Sequence, residues 1–207
     1  MIDWATVAGV GTAAGTLVLG VATFAAVRSA NRAGRIAERS LRIGLRPILA
    51  PSRLEDAPQR VRFIDGHWVT LEGGQAAVEL LDGVLYLAMM VRNIGNGLAM
   101  IQSWLPRPGA IGDDDWDNFD AYRPQSRDLW VPPGDVAFWQ GALRDDSEAI
   151  HTEIAQAITD GEITVYLLYL DHEGGQRTVS RFALIRRDDE VGGWWSTLTR
   201  HHNIDEH

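Results

Sequence analysis

Twenty-four consecutive residues, Trp4 to Val27, carry no charge, and the nineteen that follow carry six arginines. As a helix the uncharged run is roughly 36 Å long at about 1.5 Å per residue, enough to cross a hydrocarbon core of about 30 Å. Its residues are mild for lipid: many Ala, Gly and Thr, with Leu17, Val18, Leu19, Val21 and Phe24 at the centre. A buried helix of a soluble protein is the alternative, but it would be unusually long and unusually poor in polar residues. A cleaved signal peptide places its positive charges ahead of the apolar core; here Asp3 precedes the core and the arginines follow it. The expectation is a transmembrane helix over residues 1–27, single-pass in a plasma membrane. Arginine-rich flanks face the cytoplasm, which sets the N-terminus outside and the C-terminal domain inside.

The string Gly9-Val-Gly11-Thr-Ala-Ala-Gly15 also invites a phosphate-loop reading. Such a loop needs a strand before it and an acid about 20 residues on. Only eight residues precede it, and the first acid after it is Glu38. Gly11 and Gly15, four apart, instead share one helix face, the small-residue spacing that lets membrane helices approach closely. They are the expected helix–helix contact, for self-association or a protein partner. The plain alternative is that Gly and Ala are common in such spans.

Residues 28–46 read as an arginine-rich juxtamembrane helix. Arg28, Arg32, Arg35, Arg39, Arg42 and Arg46 advance by three or four, drawing one positive stripe. Pro47 disfavours a helical Arg46, so the helix should end near Gly44. The stripe from Arg28 to Arg42 suits the headgroups of a lipid bilayer or an acidic partner; the alternative is a solvated flank.

The segment 28–46 has a net charge of +5 in a chain whose total is −9, and the residues after it carry −13. An acidic body argues against nucleic acid as a partner, because phosphates need a basic surface. There are no cysteines, which excludes disulfides, thiolate metal sites and cysteine nucleophiles. All basic side chains apart from histidine are Arg.

The body, residues 47–190, reads as short strands: Pro47–Pro51, Arg60–Ile64, His67–Leu71, Ala76–Leu81, Val84–Arg92, Ala99–Leu105, Val136–Leu143, Ile163–Leu170 and Thr178–Arg186. Asp65-Gly66 and Asp82-Gly83 are hairpin signals between such runs. One helix interrupts: acids at Asp145, Asp146 and Glu148 open it, Ile150, Ile154, Ala157 and Ile158 form its apolar stripe, and Gly161 ends it. The expected fold is mainly β: a transmembrane helix and a juxtamembrane helix, then an antiparallel β-sandwich with one inserted helix. Residues 191–207 read as a C-terminal tail.

Within Leu85–Ala99 a strand runs into Asn93, Gly95 and Gly97, residues that tolerate a tight structural turn. The V-x-N-x-G-x-x-x-A pattern of Val91, Asn93, Gly95 and Ala99 resembles that of immunoglobulin-like bacterial sandwiches of the CARDB type. The wider layout is similar to an uncharacterised bacterial family with a single span, a charged helix, an Arg-Pro pair (here Arg46-Pro47) opening the first strand, and a V-x-N-I-G-x-G-x-A turn. Its last hairpin often reads Y-x-D-x-x-G, matched by Tyr169, Asp171 and Gly174. The resemblance covers about residues 5–187. It implies an immunoglobulin-like sandwich and brings no catalytic residues.

Chemistry is sparse. Six scattered histidines show no ligand spacing; His201 and His202 are adjacent in the expected tail. Asp113, Asp115 and Asp117 resemble the start of a calcium loop, but Asn118 stands at the glycine position and Pro124 at the closing glutamate. Ser180, His172 and Asp171 lie near one hairpin without a nucleophile elbow. No cofactor, metal or catalytic site is read, so the chain is not expected to be an enzyme. Trp68, Trp104 and Trp139 lie on expected strands, in the core. The long loop 106–134 holds Trp116, Phe119, Tyr122 and Trp130, either an interaction surface or a pin fastening the loop. The reading is a membrane-tethered accessory or scaffold protein contacting a protein partner. The alternatives are a ligand- or carbohydrate-binding sensor using the 106–134 loop, and a structural subunit of a larger membrane assembly.

Overall fold

A computed structural model describes residues 4–110, 116–189 and 192–204, with the side chains of residues 4–14, 18, 42 and 43 also outside the described set. The chain forms two units, residues 1–44 and 45–207.

The first unit is one helix, α1 (Trp4–Gly44). It ends at Gly44, as the approach of Pro47 requires. Leu17, Leu19, Val21, Phe24 and Val27 are all exposed on it. Among the described residues no helix is long and apolar enough to cross a membrane. Half of the uncharged run, residues 4–14 and Val18, lies outside the residues whose side chains are described.

The second unit is mainly β, antiparallel and sandwich-like. Its strands are β1 (Leu49–Pro51), β2 (Gln59–Arg62), β3 (Trp68–Leu71), β4 (Gln75–Leu81), β5 (Val84–Asn93), β6 (Ala99–Pro108), β7 (Arg123–Val131) and β8 (Val136–Leu143); after helix α2 (Ala149–Asp160) come β9 (Glu162–Leu170), β10 (Thr178–Arg186) and β11 (Trp194–Asn203). One layer joins β8 to β5, and β5 to β4 and β1; the other runs β11-β10-β9-β6-β7. The layers meet where Trp194 and Trp195 of β11 pair with Ala76 and Gln75 of β4.

Both centres of the fold are apolar on two faces, which is why β5 and β9 read as continuous apolar runs. Leu85, Leu87, Met89 and Val91 of β5 face the same core as Val165, Leu167 and Tyr169 of β9. The other face of β5, Tyr86, Ala88 and Met90, is covered by the β2–β3 hairpin through Val61, Phe63, Val69 and Leu71. Helix α2 packs against β6 and β9 and closes one end with Ile154 and Ala157. Its C-cap is Gly161 at φ 91°, as expected. Asp145 does not cap the helix directly; its carboxylate accepts from the Ser147 amide and hydroxyl one turn earlier.

Asp82 and Gly83 both have positive φ, 49° and 78°, the geometry of the two-residue turn whose twist matches paired strands. Two segments differ from expectation. The loop 106–134 contains β7, a polar strand that among the described residues pairs with β6 and no other strand, and whose Pro124 and charges blunt an open edge. The expected tail contains β11, which pairs with β10 along its length. Trp104 and Trp139 are in the core, but Trp68 is exposed. Alternation on β3 sends Val69 and Leu71 inward, so Trp68 faces out, with the Arg60 guanidinium 4.9 Å above its ring.

Candidate functional site

Asn93 ends β5 and has no exposed surface. Its side-chain oxygen accepts from the amides of Gly95 (3.0 Å) and Ile48 (3.2 Å). Its side-chain nitrogen donates to the carbonyls of Gly97 (2.6 Å) and Val131 (2.9 Å). One amide thus joins the Asn93–Gly97 turn, the segment before β1 and the end of β7. The glycines are needed for close approach. A Cβ on Gly95 would collide with the Arg46 carbonyl and the Ile48 amide, and one on Gly97 with the Leu45 carbonyl.

Beside β1 lies a second polar group inside the core. The Tyr169 hydroxyl is 2.9 Å from the Ser180 hydroxyl, and Ser180 Oγ is 3.2 Å from Nδ1 of His201. The Leu49 amide donates to the Tyr169 hydroxyl at 3.1 Å. Burial pushes the Tyr169 pKa up to about 12. Burial, then the nearby Arg46 charge, pushes His201 below the usual histidine range. A serine facing an imidazole is the start of nucleophile chemistry, but Ser180 has no exposed surface for a substrate to reach. The group ties β1, β9, β10 and β11 together. Asp171 and His172 are elsewhere: Asp171 accepts from the Gly175 amide at 2.8 Å, and His172 lies 3.9 Å from Glu173.

The histidine pair is split across the sheet. A register shift opposite Arg181 and Phe182 leaves His201 beside Ser180, and His202 beside Val179 on the other face. His202 stacks on Trp116 with centroids 4.1 Å apart and planes 12° apart. Phe119 meets Trp116 edge-on at 6.4 Å, and the Tyr122 hydroxyl donates to the Trp116 carbonyl at 2.8 Å. Trp116 and Tyr122 then pack with Leu105, Tyr166 and Val179. These three aromatic residues form one cluster against the outer face of β9 and β10. Trp130 is apart from them, half exposed on β7 beside a shallow cavity of about 170 Å³. The Asp113–Asp115 part of the calcium-like string lies outside the described residues.

On α1, Arg28, Arg32, Arg35 and Arg39 are exposed, and the side chain of Arg42 is outside the described set. Gly15 has nothing within 4 Å of where a Cβ would stand; the surroundings of Gly11 are outside the described set. Among the described residues no group of three or more His, Asp or Glu is placed to hold a metal ion.

These parts define an antiparallel, sandwich-like β domain preceded by one long N-terminal helix. No family model matches the chain, and no curated protein matches it.

Proposed function

We propose that the chain is a membrane-tethered, non-catalytic accessory protein whose β-sandwich contacts a partner. The observation that carries the tether is the apolar surface of α1. Leu17 is 70 % and Phe24 69 % exposed on one side of the helix, and Leu19 on the other is 68 % exposed. A soluble surface helix keeps one polar, usually charged, face; between Trp4 and Val27 this segment carries no charge, and its only hydroxyl side chains are threonines. Lipid is the solvent that suits large apolar side chains exposed on opposite sides of one helix. The arginine stripe that follows then lies at the headgroups on the cytoplasmic side, with the sandwich beyond it at the inner face of a bacterial plasma membrane.

The immunoglobulin-like reading of the sandwich belongs to this proposal. It is supported by the two-layer antiparallel arrangement and by the Asn93, Gly95 and Gly97 turn, whose side-chain amide seats the first strand. A small-molecule role is favoured by one observation, a set of arginine-lined cavities beside β7. The orientation is tested by fusing alkaline phosphatase or green fluorescent protein after His207. The account expects fluorescence and no phosphatase activity. Phosphatase activity would overturn the orientation.

A further inference from the structure

Strands β7 and β8 lie side by side at the open seam of the sandwich; among the described residues they do not pair with each other, β7 pairing with β6 and β8 with β5. The β2–β3 hairpin overhangs this seam. It is fixed by Asp65, which accepts from the Tyr86 hydroxyl at 2.8 Å and from Arg144 at 3.0 Å. Between hairpin and seam is a cavity of about 290 Å³ lined by Arg62, Phe63, Ile64, Ser126, Arg127 and Gln140. It continues across Ser126 and Gln140 into a second of about 260 Å³, which Arg123 and Arg144 border.

Every charged side chain lining the two cavities is an arginine, in a body whose net charge is −13. Arg123 is paired with Glu148, and Arg144 with Asp65. Arg62 and Arg127 have no carboxylate partner among the described residues; they lie over the rings of Trp68 and Phe138. Neither guanidinium is neutralised by a carboxylate at the cavity rim, and guanidinium suits the geometry of phosphate and carboxylate. Gln140 supplies an independent observation. Its residue is 6 % exposed and its side-chain oxygen has no donor. Buried amide oxygens are rarely left so. Gln140 lines both cavities, where a ligand hydroxyl can satisfy this oxygen. Phe63 and Ile64 add an apolar wall, and the volume is at the small end of ligand pockets.

We propose that this groove is a binding site for a small hydroxylated anion, a phosphorylated or carboxylated sugar, with Arg62 and Arg127 holding the anionic group and Gln140 a hydroxyl. The site stands independently of the membrane tether.

The test is titration calorimetry on the full chain in a non-ionic polyoxyethylene detergent, with glucose 6-phosphate, glucuronate, glucose and inorganic phosphate as probes. The expected result is binding of at least one sugar anion more tightly than inorganic phosphate, with no heat from glucose. The two sugar anions distinguish the phosphate source from the carboxylate source. Arg62→Gln with Arg127→Gln should weaken that binding at least tenfold, and both positions are exposed, so the fold is retained. Gln140→Leu should weaken the sugar anion several-fold while leaving inorganic phosphate unchanged. No heat from either sugar anion, affinity no better than inorganic phosphate, or binding indifferent to the double arginine variant would each overturn the proposal.

Discussion

The Asn93 side chain donates to the Gly97 carbonyl at 2.6 Å, closing its own turn while the opposite end of the same amide accepts from the Ile48 backbone. All four hydrogen-bonding positions of the amide are in use inside the protein. Replacing Asn93 with Ala leaves several buried groups without partners, each costing about 1–3 kcal/mol. The net loss should be about 3 kcal/mol after relaxation, or roughly 6–12 °C in Tm for a domain of this size. Thermal unfolding followed by circular dichroism measures it; a shift within a degree of the parent would contradict the role of this amide.

The turn should also separate two kinds of glycine. Gly97→Ala drives a methyl into the Leu45 carbonyl and should prevent stable folding or cost at least as much as Asn93→Ala. Gly175→Ala meets nothing within 4 Å and has no positive φ, so it should stay within about 0.5 kcal/mol of the parent. Chemical denaturation midpoints of the two variants provide the comparison.

Protonation of His201 should loosen the core from inside. Its pKa is depressed by burial and by Arg46, so below the unfolded value of 6.5 the unfolded chain binds the proton more readily. The stability that neutral His201 supplies is therefore complete above pH 6.5 and is lost as pH falls through the folded value. His201→Gln should flatten this part of the stability profile. Asp65 acts in a lower window. Burial opposes its ionisation, but the Tyr86 hydroxyl, the His67 amide and Arg144 together hold its carboxyl below the ordinary aspartate value of 3.8. Its contribution is present above 3.8 and disappears at more acid pH. Urea midpoints measured across pH on the parent and the two variants, His201→Gln and Asp65→Asn, resolve the windows.

Gly141 lies against the edges of two tryptophans. A Cβ there would stand 2.8 Å from both Trp104 and Trp139, which meet edge-on at 5.3 Å. Gly141→Ala should cost about 1–3 kcal/mol by overpacking and alter the near-ultraviolet dichroism of the tryptophan pair. An unchanged near-ultraviolet spectrum would contradict this packing.

Apolar strands and special turns were the legible part of the fold. The runs around β5, β9 and β10 announce themselves because both faces are covered, and Asp82-Gly83 because only certain residues accept its backbone. β7 was hidden because most of its side chains face solvent at an open edge, leaving Arg-Pro-Gln-Ser-Arg-Asp with no apolar alternation. β11 was hidden because its inward positions include Ser196 and His201, polar residues satisfied by Met89 and by Ser180. Its Trp and Thr content was the available signal. The Asn93 turn could be read as a turn, but its bond to the amide of Ile48, forty-five residues earlier, could not. The arginine groove was illegible for a similar reason. Arg62, Arg127 and Gln140 come from three strands, and only the hairpin's overhang of the β7–β8 seam brings them to one cavity.

The central claim is that the uncharged run of α1 holds the chain in a bilayer. Alkaline carbonate extraction of bacterial membranes from cells producing the full chain tests it directly. The account predicts that the protein stays in the membrane pellet, and that replacing Leu17, Val21 and Phe24 together with Asn releases it. Quantitative recovery of the parent protein in the carbonate supernatant would contradict it.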